Sequence, residues 1–255
     1  MKKIFTLLSV LSLTTLSYSQ VSLTSLNTAY TQNFDGLANS GTTYSTTLNG
    51  TLAGWYILET GSNSNTTYTV GTGSATTGDT YSFGATSSTE RALGSIASGN
   101  LLSKYGAQFK NDTGNIIDQL EISYVGEEWR LGDVARATKD QIVFEYSTDA
   151  TSLTTGTWTE VTALKYETTN LTGSVGLRNG NDAAYRTELS NIITGLNINA
   201  GQTFWIRFVD VNVSGTDDGL AVDDFSLTPK NSTLSVGDVI KSKNIFLKNT
   251  MVDNT

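Results

Sequence analysis

Two adjacent carboxylates, Asp223 and Asp224, interrupt an otherwise apolar strand, Leu220-Ala221-Val222-Asp223-Asp224-Phe225-Ser226-Leu227. An ionised carboxylate buried without a partner is prohibitively costly, so charges in such a place are paired, hydrogen-bonded or bound to a metal. No Lys or Arg occurs between Arg207 and Lys230, so no basic partner lies close in sequence. Oxygen-bearing side chains are plentiful there instead, which favours a hard cation such as calcium. Just upstream, Asp210-Val211-Asn212-Val213-Ser214-Gly215 sets oxygen side chains at alternate positions and a Gly at the sixth, with Asp218 at the ninth. This half-matches a helix-flanked calcium loop. Ala221 stands where the closing Glu belongs, and the flanks read as strands, so a polar hairpin turn is the alternative reading. A second acidic point is Asp35, in Asn33-Phe34-Asp35-Gly36. First and last strands of a jelly roll often lie side by side. Asp35 and one of Asp223 or Asp224 are therefore expected to converge on a structural calcium ion, with Asp210 and Asp218 as further candidate ligands. Its affinity is expected on the order of 10⁻⁴ to 10⁻³ M, as in other extracellular modules.

The chain has no His and no Cys. That removes Ser-His-Asp and Cys-His nucleophilic sites, His-ligated zinc, thiolate centres and disulfides. Carboxylate-based glycoside hydrolysis survives, because it needs only two Asp or Glu in a cleft. Glu127-Glu128, before Trp129-Arg130, is the place to look. Adjacent strand residues point to opposite faces, so these two cannot pair with each other as acid and nucleophile. One would need a distant partner such as Glu145 or Asp133. The competing reading has one Glu paired with Arg130 at a sheet edge while Trp129 covers the core. Flat aromatic rings are the usual platforms for sugars, and Trp55, Trp129, Trp158 and Trp205 are available with Tyr56 and Tyr81. Trp205 alternates with the apolar Phe204, Ile206 and Phe208, which places it on the second, more open face beside Arg207. Trp129, Arg130, Trp205 and Arg207 are the candidate ligand contacts.

The elements that must carry these residues are strands. One Pro, 24 Gly and abundant Thr and Ser disfavour helices and favour short strands joined by turns. Leu120, Ile122 and Tyr124 alternate with Glu121 and Ser123, and Ile142, Phe144 and Tyr146 alternate with Glu145 and Ser147. Further strands are expected at 21–26, 54–59, 80–83, 91–94, 104–110, 157–164 and 186–193. Asn49-Gly50 and Asn179-Gly180 are turn dipeptides. The polar stretch 61–78 reads as a long solvated loop or, on a binding module, as a ligand-contacting one. The architecture implied is an all-β, antiparallel two-sheet sandwich of jelly-roll type.

Residues 1–19 read as a secretory leader: Lys2 and Lys3, the apolar run Ile4 to Leu16, then Ser17-Tyr18-Ser19 as a small-x-small cleavage site. That run is too short to span a membrane. Residues 20–229 form the sandwich domain, and 230–255 a linker and tail too short to fold alone. With 16 Lys and Arg against 24 Asp and Glu, the net charge of −8 makes nucleic acid a poor partner. Without disulfides, an exported chain needs a large core or bound ions for stability.

Five segments occur in order across 32–228: Asn33-Phe34-Asp35-Gly36; Gly54-Trp55; Tyr146-Ser147-Thr148-Asp149 with Gly156-Thr157-Trp158; Gly201 to Phe208; and Leu220 to Leu227. This order resembles the cleaved-adhesin and MAM-type jelly rolls, which open on a Phe-Glu/Asp…Gly-Trp element and close on an Ala-Ile-Asp-Asp strand. Tyr124-Val125-Gly126-Glu127-Glu128-Trp129-Arg130 is similar to a Tyr-x-Gly-Glu-x-Trp-Arg element of secreted bacterial modules. The resemblance implies a calcium-supported, lectin-like or adhesion module, with Asp35 as the opening acid and Asp223 and Asp224 as the closing pair. The opening Glu is Asp here, and the cysteines of animal MAM domains are missing. The tail 244–255 is similar to the start of the type IX secretion sorting domain of Bacteroidetes, shortened, with Lys248-Asn249-Thr250-Met251 in place of its Tyr-Pro-Asn-Pro element.

The expectation is thus a secreted or cell-surface, non-enzymatic module that binds an extracellular glycan or a surface protein. The alternatives are a carboxylate-dependent glycan hydrolase or lyase, and a purely structural surface protein.

Overall fold

The computed structural model describes residues 19–48 and 52–232. The leader before Ser19, the Asn49-Gly50 turn and the sorting-domain-like tail lie outside the described residues. β1 (Val21–Leu23), β2 (Tyr30–Gln32), β3 (Thr43–Ser45), β4 (Trp55–Thr60) and β5 (Thr67–Gly71) precede β6 (Asp79–Phe83), β7 (Ala92–Ile96) and β8 (Leu102–Asn111). Then come β9 (Gln119–Leu131), β10 (Gln141–Ser147), β11 (Thr159–Glu160), a 3-10 turn at Thr162–Leu164, and β12 (Tyr166–Glu167). β13 (Gly176–Leu177), β14 (Arg186–Ile193), β15 (Thr203–Val211) and β16 (Gly219–Lys230) follow.

The strands form two sheets packed as a sandwich. In the first, β8, β15, β10 and β11 lie in order; β1 and β4 share the free side of β8, and β12 pairs with β10. In the second, the order is β13, β9, β16, β7, β6, β5 and β3, with β14 on β9 and β2 on β16. Strands pair antiparallel, as the alternation predicts, except β1 with β8 and β5 with β6. Among the described residues no helix is long and apolar enough to cross a membrane.

The period of two explains the core. Trp55 and Ile57, Tyr105 to Phe109 at alternate positions, Ile142 and Phe144, and Phe204, Ile206 and Phe208 face inward from the first sheet. Leu120, Ile122, Tyr124, Val222, Phe225 and Leu227 meet them from the second. A smaller cluster of Tyr81, Phe83, Ala92, Ile96, Trp129 and Ala221 forms around the next residues of β9 and β16.

Two expectations need correction. The stretch 61–78 contains β5, whose Tyr68 is buried in the main core, so it is not one long loop. The strand expected at 157–164 is only β11, followed by the 3-10 turn at Thr162–Leu164. The strand that carries Leu120, Ile122 and Tyr124 runs on through Gly126-Glu127-Glu128-Trp129-Arg130 to Leu131. Charges break the alternation there, and Glu127 and Glu128 find partners on neighbouring segments.

Gly126 shows how tight this strand is. A Cβ there would sit 2.3 Å from the Tyr166 ring, itself 1% exposed. Gly126→Ala is expected to cost about 1–3 kcal/mol by overpacking. Chemical denaturation measures it, and an unchanged midpoint would mean that Tyr166 has room to swing aside.

Candidate metal centre

β16 holds two aspartates in different surroundings because it bulges between them and the end of the strand. Gly219 to Val222 pair with β7, and Phe225 to Leu227 pair with β2. Against β9 the register slips between Asp223 and Ser226. At the slip Asp224 adopts a left-handed backbone, φ 49°. A bulge of this kind re-aims side chains. Asp223 is buried and Asp224 exposed.

Asp223 meets two carboxylates from other elements. Glu127 comes from β9, where Ala221 is its register partner, and Glu90 from the segment entering β7. Each of the three offers an oxygen within 4.8 Å of the others. The Trp129 indole N–H donates to Glu127 Oε2 (2.9 Å), and the Asn181 amide donates to Glu90 Oε2. The Asp224 N–H donates to Asp223 Oδ1 at 2.7 Å. Glu127 Oε1 and Glu90 Oε1 are buried without a hydrogen-bond donor. Arg186 stands at the rim, its Nη2 3.8 Å from Glu127 Oε1 and 3.5 Å from Asp224 Oδ2. One half-buried guanidinium does not balance three acids. Burial pushes the Glu127 carboxyl up to about 7. Burial, and next the charge of Glu127, raise Asp223. Three converging carboxylates with free, buried oxygens suit a hard divalent ion such as calcium.

Asp35 stands beside this group without joining it. β2 takes over from β7 along β16, with Gln32 opposite Phe225, and this brings Asn33-Phe34-Asp35 to the start of β7. Asp35 Oδ1 accepts the Arg91 N–H at 3.0 Å, and its Oδ2 accepts the Asn33 amide at 2.7 Å. Asp35 thus anchors the backbone next to Glu90. Glu90 was absent from the sequence reading because it falls just before the strand expected at 91–94, and nothing local links it to Glu127 or Asp223. Glu127 was in view, but for hydrolysis.

Asp210 and Asp218 lie elsewhere. Asp218 immediately precedes β16, five residues before Asp223, roughly 16 Å away at strand rise. Asp218 Oδ1 accepts the Gly132 N–H at 2.6 Å and faces Arg136 Nη2 at 3.1 Å, while Thr168 Oγ donates to Oδ2 at 2.6 Å. Asp210 accepts from Ser95 Oγ at 2.7 Å, and burial pushes its carboxyl up to about 8.

The Glu127-Glu128 pair does not bond to Arg130 as expected. Glu128 Oε2 accepts the Asn170 N–H at 2.8 Å and its Oε1 lies 3.6 Å from Arg178 Nε. Its partners come from the segment between β12 and β14, beyond what local sequence spacing reveals. Glu145 is on β10, bonded to Arg207 Nε at 2.6 Å.

The four candidate ligand contacts are all buried. Trp129 is 1% exposed and stacks on Phe83 at 6.0 Å, and Arg130 is 8% exposed. Trp205 was expected on an open face but is 1% exposed. The connection between β10 and β11 folds over it, packing Ala150 and Leu153 on the indole. Trp158 from the same connection lies over the Arg207 guanidinium at 3.8 Å, and the Leu153 carbonyl accepts from Arg207 Nη1. A small cleft survives at the edge of this cover, about 180 Å³, walled by Tyr56, Leu58, Leu153 and Trp205 with Ser152 and Thr154. The Tyr56 and Trp205 rings are 5.1 Å apart, and Trp205 Nε1 is buried without an acceptor.

No family model and no curated protein sequence matches the chain. Among solved structures it is similar to the K3 cleaved adhesin domain of Lys-gingipain from Porphyromonas gingivalis W83, at 11% identity and TM-score 0.35, covering 57% of this chain and 76% of that one. It is also similar to a family 11 carbohydrate-binding module from Clostridium thermocellum in complex with a mixed-linked tetrasaccharide, at 12% identity and TM-score 0.28, covering 79% and 96%. An arabinose-bound α-L-arabinofuranosidase is matched at 11% identity and TM-score 0.39, over 83% of this chain and 30% of that one. Likenesses of this strength carry no argument about function, and the sandwich architecture stands on the strand pairing itself.

Proposed function

We propose that this chain is a secreted, non-enzymatic β-sandwich module that binds an extracellular glycan, and that a calcium ion held by Glu90, Glu127 and Asp223 stiffens it. The binding reading is carried by the cleft beside Trp205. Two aromatic rings form an apolar wall, Ser152 and Thr154 bring hydroxyls to it, and the buried indole N–H lacks an acceptor. A sugar supplies a ring face for stacking on the aromatic wall and hydroxyls for Ser152 and Thr154. Against a hydrolase, Glu127 and Glu128 are 0% exposed and point to opposite sides of β9. A hydrolase needs its pair in an open cleft. Export is supported by the basic, apolar and small-x-small order of the first 19 residues.

The test is a glycan array followed by titration of the hits. Tyr56→Ala is expected to weaken binding about 10-fold or more, and Trp205→Phe, which trims the indole to a single ring and removes the N–H with it, by about 5-fold. Binding that neither variant changes would move the ligand elsewhere, and released reducing ends would restore the hydrolase reading.

A further inference from the structure

A second group of acids gathers where the β9–β10 and β15–β16 connections meet, remote from Asp223. Asp140, Asp210, Asp217 and Asp218 are each at most 5% exposed. One guanidinium, Arg136, is buried among them, its side chain 0% exposed. Four carboxylates against one guanidinium leave a net charge of −3 if all ionise. Buried charge on this scale requires further compensation.

The hydrogen bonds show where it is missing. Both Asp218 oxygens have donors, from Gly132 and Arg136 on one and Thr168 on the other. Asp210 has Ser95. Asp140 Oδ2 accepts the Asp218 N–H and pairs with Arg136 Nη1. Asp140 Oδ1 is buried with no donor at all. Asp217 Oδ1 accepts the Val213 N–H at 3.2 Å, and the charge of the neighbouring Asp140 is, after burial, what raises its carboxyl. Neighbouring buried carboxylates need something positive between them, a proton or a metal ion.

We propose that Asp140 and Asp217 seat a second divalent cation of calcium's hard-oxygen class at the root of the β15–β16 connection. N–H donors and a guanidinium already hold one oxygen of each residue, which leaves the buried Asp140 Oδ1 for the cation. Asn212, Ser214, Gly215 and Thr216 are exposed on the same connection as Asp217, which makes their oxygens and water the candidates to complete a shell of six to eight. Asp210 and Asp218 add negative potential without giving up their own donors. The proposal is independent of the Asp223 centre.

The measurement is a calcium count per chain by equilibrium dialysis of the full-length protein after chelation. Two ions are expected for the parent, and one for Asp217→Asn or Asp140→Asn. Asp223→Asn reads the other centre separately, so failure of either site is distinguishable. A count unchanged by both Asp140→Asn and Asp217→Asn overturns this inference. So does an infrared band of a protonated carboxyl in the calcium-equilibrated parent that vanishes in Asp217→Asn, because it would show a shared proton. Should the Asp140 and Asp217 variants not fold, terbium luminescence titration of Asp223→Asn reads this site alone, and no bound terbium there overturns the proposal.

Discussion

Chelating calcium from this protein is expected to lower its melting temperature by roughly 5–10 °C. An ion present at about a hundred times its dissociation constant stabilises by about 2.7 kcal/mol, and a domain of this size shifts by about 2–4 °C per kcal/mol. Asp223→Asn distinguishes the cause by sign. If Glu90, Glu127 and Asp223 hold an ion, the variant melts lower than the parent in calcium and loses the share of the chelator response that this ion supplies. If nothing sits there, removing one of three crowded carboxylates relieves repulsion and the variant melts higher.

The pH dependence should invert with the ion. In chelator, Glu127 titrates near 7 in the folded chain because burial disfavours its anion, against 4.5 ordinarily. The folded state then binds more protons than the unfolded between those values. Stability therefore falls as pH rises through that window, by up to about 1.4 kcal/mol per pH unit for each such group. Asp223 is raised in the same direction and extends the decline. With calcium bound the carboxylates stay ionised, and stability instead falls on acidification, as protons displace the metal. Melting curves between about pH 5 and 8, with calcium and with chelator, read both slopes. Parallel curves would remove the ion from this account.

Phe208→Ala is expected to be the most damaging single truncation, at about 3–5 kcal/mol and roughly 8–16 °C. The ring meets five others, from both sheets. Tyr124 and Phe144 approach edge-on at 5.0 and 5.3 Å. Tyr105 and Trp55 stack at 5.8 and 6.5 Å, and Phe225 closes edge-on at 6.1 Å. Removing it leaves a void that rings from β4, β8, β9, β10 and β16 cannot all relax into. Ile192→Ala, 46% exposed on β14, should change stability by less than about 0.5 kcal/mol. Comparable losses for the two would mean that the sandwich core is not centred on Phe208.

Alternation carried most of the architecture. Phe204, Ile206 and Phe208 announce a half-buried strand in any context, because side chains on a strand alternate sides whatever it pairs with. The same rule placed 186–193 at the observed bounds of β14. It says less at β9 beyond Tyr124, where Glu127, Glu128 and Arg130 interrupt the alternation. The partners of Glu127 and Glu128, namely Arg186, Asn170 and Arg178, lie 40 or more residues further along the chain, and no local window contains them.

The residues alone determined that Asp223 sits in an apolar strand, that no base nearby in sequence can answer it, and that His or Cys chemistry is unavailable. Those facts depend on composition and on a repeat of two, which survive any arrangement of the strands. Tertiary structure decided the company Asp223 keeps. Only the pairing of β16 with β9 and β7 brings up Glu127 and Glu90, and only the slip after Asp223 turns Asp224 out to solvent. Likewise Trp205 could be assigned to one face from sequence, but its cover by Leu153 required a connection to fold back across the sheet. Contacts between distant segments are set by the closure of the whole sandwich, and a linear pattern holds no record of them.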